Sequence, residues 1–133
     1  MKMFNQFSFG KNQTGLEKPV EKIDAKYIGG HKAFPKSKDT HVLIFSNKIE
    51  VEKIGLSIPY KSMITIENAD AERITKTRVL LLGIAGLLWK KKYLYTIVEY
   101  DDGIDKQTIL LDFHRDVDKV QALIYRKMLD FRK

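Results

Sequence analysis

QTILLDFHRDVDKVQALIYRKMLDF, residues 107–131, changes its hydrophobic period partway along, and that change decides the fold. Residues 107–113 are β-branched, leucine-rich and aromatic, the composition of a strand. After His114 the apolar residues are Val117, Val120, Ile124, Met128 and Phe131. Spacings of three and four put these side chains on one helical face. Asp116 stands where an N-cap is wanted, and Asp118 falls in the positive first turn. Arg126, Lys127, Arg132 and Lys133 crowd the far end, where the macrodipole favours cations. A strand followed by one amphipathic helix closes the chain.

Upstream of this stretch the period is that of strands. Asp101-Asp102-Gly103 is a strong turn, and residues 93–100 form the partner strand of a hairpin. Residues 57–67 alternate through Ile58, Tyr60, Ile64 and Ile66, with Pro59 marking an edge or a bulge. Residues 40–45 and 48–54 make a hairpin around Ser46-Asn47. The first strand runs through Ala25, Tyr27 and Ile28 to Gly29-Gly30, a strand end that needs backbone freedom. Residues 31–39 then form a basic loop with Lys32, Lys36 and Lys38. About seven strands and a terminal helix predict a mainly β (α+β) fold. The expected form is a bent antiparallel sheet or open barrel whose mouth the helix covers. No strand–helix alternation supports a parallel βαβ fold.

The bulk numbers fit one domain. The 133 residues are 44% hydrophobic, enough for a single core without staples. The chain has no cysteine, which excludes disulfides and thiolate metal sites. Residues 1–22 are polar and glycine-containing and read as a flexible N-terminal tail carrying Phe4, Phe7 and Phe9. Residues 23–133 are the expected domain. The start resembles no secretory signal, so a cytoplasmic location is expected, with the inner face of the membrane as a peripheral alternative. Net charge is +7, which favours acidic partners without selecting among lipid, nucleic acid and protein.

Several pieces of this chain resemble the prokaryotic pleckstrin-homology-like domains, relatives of the eukaryotic PH and GRAM modules. They are Tyr27-Ile28-Gly29-Gly30-His31, Ser57-Ile58-Pro59-Tyr60, Trp89-Lys90-Lys91-Lys92, and the strand 95–100 with Asp101-Asp102-Gly103 after it. The resemblance spans roughly residues 23–131 and implies a seven-stranded bent barrel capped by a helix and used as a binding platform. Eukaryotic lipid-binding members often carry basic residues in the first hairpin loop and a basic pair in the second strand. Lys32, Lys36 and Lys38 stand for the loop part, but residues 40–45, Thr-His-Val-Leu-Ile-Phe, lack the pair. Trp89 also falls in a hairpin here, whereas eukaryotic PH domains typically keep a tryptophan in the terminal helix.

Residues 79–92 offer the sharpest functional reading. As a helix, 79–89 would span about 16 Å against a bilayer core of about 30 Å, so it does not cross a membrane. Gly83 and Gly86 favour a hairpin tip. On one reading Ile84, Leu87, Leu88 and Trp89 dip into a membrane while Lys90, Lys91 and Lys92 meet acidic lipids. On the other, the same apolar run packs into the core or against a protein partner or second copy. Absence of the basic pair tilts the balance towards protein interaction or self-assembly.

Other chemistries have little in the sequence to carry them. Tyr93, Tyr95 and Tyr100 accompany charge but alternate as strand residues, with no nucleic-acid motif around them. Asp112, His114 and Asp116 fall at alternate positions, too few donors for a metal site, and His31 and His41 show no partner in the sequence. No nucleophile elbow or phosphate loop is legible, so a binding module without cofactor or metal is expected rather than an enzyme.

Overall fold

Alternating apolar and polar residues generate seven strands in a computed structural model, which describes residues 18–75 and 93–132. The elements are β1 (Glu21–Gly29), β2 (Lys38–Ile44), β3 (Lys48–Val51), β4 (Leu56–Pro59), β5 (Met63–Asp70), α1 (Ala71–Thr75), β6 (Leu94–Asp101), β7 (Lys106–Asp112) and α2 (Val117–Phe131). They form one antiparallel sheet in the order β4-β3-β2-β1-β7-β6-β5. The sheet is not closed, because β4 and β5 remain its two edges. Mainly β architecture with one C-terminal helix is therefore what the chain adopts.

One face of the sheet holds the main core, where Tyr27, Ile44, Ile49, Ile58, Ile109 and Leu111 are fully buried. Onto it α2 lays Val117, Val120, Ile124 and Met128. Burial of each such side chain stabilises the fold by about 1.5–3 kcal/mol, far more than helix propensity supplies. The helix also tends the β5 edge. Gln121 donates to the Ile66 carbonyl at 2.9 Å, and Arg132 donates to the carbonyls of Met63 and Ile64 at 2.6 and 3.1 Å. Asn68 on β5 accepts from the buried Thr96 hydroxyl at 2.7 Å and donates to the Val117 carbonyl at 3.3 Å. An edge strand offers unpaired backbone groups to any passing chain, and side chains of α2 occupy several of them here.

A second apolar cluster lies on the opposite face of the sheet. Ile28, Ala69, Ile74, Tyr95, Ile97 and Leu110 are buried there, with Tyr93 packed alongside. Neighbouring residues in each strand belong to the concave core: Tyr27 beside Ile28, Val98 beside Ile97, Leu111 beside Leu110. The strands β6, β7 and the end of β1 thus bury both faces.

Several local expectations are corrected. The predicted strand over residues 57–67 is two strands: Pro59 ends β4, and Tyr60–Ser62 is a 3₁₀ turn. Tyr60 is held there by its hydroxyl donating to the Phe45 carbonyl at 2.8 Å and its amide donating to that of Asn47 at 3.1 Å. β3 stops at Val51, and the 3₁₀ turn Glu52–Ile54 ends at Gly55 with a left-handed φ of 65°. Lys38 opens β2 rather than ending a loop. Asp116 occupies the N-cap position but its side chain makes no capping bond, because a 3₁₀ turn (His114–Asp116) leads into α2. Phe131 is exposed, its ring 5.7 Å from that of Tyr60.

Candidate functional site

The loop between β1 and β2 is built on one tyrosine. The Tyr27 hydroxyl donates to the Phe34 carbonyl at 2.7 Å and accepts from the His31 amide at 3.1 Å. The Ala33 amide donates to His31 Nδ1 at 3.0 Å, and the imidazole lies 5.0 Å from the Phe34 ring. Burial raises the Tyr27 pKa, so the hydroxyl keeps its proton for Phe34. Two hydrogen bonds from a core side chain give this loop a fixed base. Lys32 and Lys36 lie in this loop and Lys38 opens β2 directly after it, all three exposed. Ile84, Leu87, Leu88, Trp89, Lys90, Lys91 and Lys92 lie outside the described residues, as does the expected junction of the two basic runs.

Beside this basic loop stands an acidic turn. The β6–β7 turn carries Asp101, Asp102 and Asp105. Asp102 Oδ1 accepts from the amides of Ile104 and Asp105, each at 2.8 Å, and Oδ2 accepts from Gln107 at 3.0 Å. Asp101 accepts from the Gly103 amide at 2.8 Å. These hydrogen bonds, led by that of Asp105, hold the Asp102 pKa down at about 2, and His31 of the basic loop adds to the effect. Loop and turn leave the sheet at the same end, from the adjacent strands β1 and β7. In this turn Ile104 is 89% exposed, its amide held by Asp102.

Gly30 sets how closely the two approach. Its φ is +112°, and a Cβ there would meet the Thr108 carbonyl oxygen at 2.2 Å. No residue with a side chain fits where β1 leaves β7.

The remaining polar clusters have structural work. His41 does have partners: Nε2 lies 3.4 Å from Asp24 and Nδ1 3.4 Å from Glu52, although Nδ1 forms no hydrogen bond. Asp112 accepts from the Tyr93 hydroxyl at 2.6 Å and the His114 amide at 2.8 Å. His114 takes a left-handed φ of 58°, and Asp112 is what braces this strand-to-helix corner. Asp116 is drawn away to a groove between β1 and α2, with Lys22, Asp24 and Lys119. Among the described residues no three such side chains are placed to hold a metal. Tyr95 and Tyr100 belong to opposite faces of β6 and both are buried, so they form no stacking platform. No helix among the described residues is long and apolar enough to cross a membrane.

Sequence reasoning passed over the carboxylates of the β6–β7 turn and the exposed Ile104 among them in sequence. An isoleucine within Asp-Asp-Gly-Ile-Asp was the available signal, since turn residues are seldom apolar without a reason.

No family model matches the sequence, and no curated protein matches it. Among solved structures, a mutant form of the DH/PH domains of p115-RhoGEF is similar, with a TM-score of 0.51 at 11% identity. The match covers 84% of this chain and 30% of that one. At such identity the likeness concerns the fold alone, and the fold is PH-like.

Proposed function

We propose that this chain is a non-catalytic, cytoplasmic interaction module whose partner is protein, either a different chain or a copy of itself. The observation that carries the reading is the mixed-sign surface at one end of the sheet. Lys32 and Lys36 in the β1–β2 loop and Lys38 at the start of β2 are exposed, and at the same end of the sheet the β6–β7 turn carries the exposed Asp101, Asp102, Asp105 and Ile104. An anionic bilayer attracts the lysines but repels the carboxylates, so the net pull is small. A protein face with both signs and an apolar recess complements all three features. A PH-like fold supports a binding role without choosing the ligand.

Sedimentation with neutral and acidic liposomes across a salt series tests this. A companion variant carries Leu87→Ser, Trp89→Ser and alanines at Lys90, Lys91 and Lys92. The protein is expected to stay in the supernatant with both lipids. Salt-sensitive pelleting with acidic vesicles, lost in the folded variant, overturns the proposal in favour of the membrane alternative through residues 79–92.

A further inference from the structure

β1 has one flank that no described strand covers. It pairs with β2 over Glu21–Tyr27 but with β7 only from Lys26 onward, because β7 ends at Asp112 and the chain turns away into α2. Among the described residues no strand lies beside Glu21–Ala25 on that side. Successive residues of a strand aim amide and carbonyl at alternate flanks, so this stretch offers backbone partners to an added strand. The same flank opens on a groove of about 210 Å³ between β1 and α2, whose apolar lining is Ile23, Val120 and Leu123. A cavity of about 150 Å³ holds benzene, so one phenyl ring fits here. By alternation Glu21 and Ile23 share the face of Ala25 and Tyr27, the face of the main core.

We infer that residues 7–11 of this chain, Phe-Ser-Phe-Gly-Lys, fill this flank as a further strand antiparallel to β1. They lie outside the described residues, but the segment that carries them joins the domain at Lys18, directly before β1. A return over residues 12–20, with Gly15 and Pro19 as turn residues, lays them along the open flank. Attachment at that point gives an effective concentration on the order of millimolar. Phe7, Phe9 and Lys11 alternate and so share one strand face. Chemistry sets the register. With Phe9 opposite Ile23 its ring enters the groove over Val120 and Leu123, and Lys11 falls opposite Glu21 as a cross-strand pair of opposite charge. A slip of one residue turns the rings to the face of Lys22 and Asp24, and a slip of two separates Lys11 from Glu21. Any extended chain from outside that uses this flank must first displace Phe9. The inference is independent of the interaction surface proposed above.

Methyl NMR of the full chain decides it, with circular dichroism confirming that each variant folds. The Phe9 ring is expected to shift the methyl resonances of Ile23, Val120 and Leu123, so Phe9→Ser moves all three while those of Leu111 stay in place. Lys11→Glu should speed amide exchange across residues 7–11 about two- to fivefold, and adding Glu21→Lys should restore it. Groove methyls indifferent to Phe9→Ser overturn the inference. Shifts that fade on dilution assign the strand to a second copy and overturn the intramolecular arrangement. Movement with Phe9→Ser but no recovery on charge reversal overturns the register.

Discussion

The two halves of the sheet differ in how many faces they bury. In β2, β3 and the start of β1, one face is core and the other is charged, carrying Lys22, Asp24, His41 and Glu50. In β6 and β7 both faces are apolar: Val98, Ile109 and Leu111 point one way, Ile97 and Leu110 the other. One half is an ordinary wet antiparallel sheet. The other is buried on both faces, as an antiparallel strand is only when its outer face is covered. Solvent-facing charge keeps the first half wet, whereas the strands of the second serve stability and reach the proposed recognition surface only through the β6–β7 turn.

The largest expected effect probes that asymmetry directly. Leu110→Ala should destabilise the protein by about 2–5 kcal/mol, as much as Leu111→Ala, whereas Leu43→Ala on the wet face should cost under about 1 kcal/mol. Denaturant unfolding measures all three, and a mild Leu110→Ala would dissolve the distinction between the halves. Next comes the seam at β1 and β7, where the halves join. Gly30→Ala forces a Cβ onto the Thr108 carbonyl at a left-handed φ, and about 2–3 kcal/mol of stability should be lost. A near-neutral result there would mean the seam yields and the halves are not rigidly coupled.

A smaller effect separates loop order from core packing. Tyr27→Phe keeps the ring but removes the hydroxyl, costing about 1 kcal/mol. Amide exchange at His31 should speed up while β6 and β7 stay protected; uniform acceleration would show that the tyrosine supports the core rather than the loop. The smallest effect is electrostatic. Folding lowers the Asp102 pKa from 3.8 to about 2, so its contribution is present above about 3.8 and fades as pH falls through about 2. A carboxyl titration by NMR with its midpoint near 3.8 would remove the hydrogen-bond network of the β6–β7 turn from the account.

Much of the fold was legible in the residues. The change of period at Asp116 fixed the terminal helix and its buried face, because i, i+3 and i+4 spacing has only one geometric meaning. Alternation and the Asp-Asp-Gly turn fixed the strands around it. Strand ends were harder to place, as at Pro59 and Tyr60, because a 3₁₀ turn continues the same apolar pattern as the strand it interrupts. The site was legible only in part. Lys32, Lys36 and Lys38 could be read as one basic loop, since they are close in sequence.

Which charges stand beside those lysines is a long-range fact. His31 and Asp102 are 71 positions apart, and only the pairing of β1 with β7 makes them neighbours. The partners of His41 come from β1 and from the turn after β3, and the β5 carbonyls are met by a helix that begins at Val117. The sequence by itself determined most of the strands, the terminal helix and its inward face through Met128, because each follows from local period and composition. Tertiary structure alone decided that the basic loop has an acidic neighbour, that half of the sheet is buried on both sides, and which stripe of α2 is left facing outward. Those depend on strand order and register, and local periodicity carries no record of either.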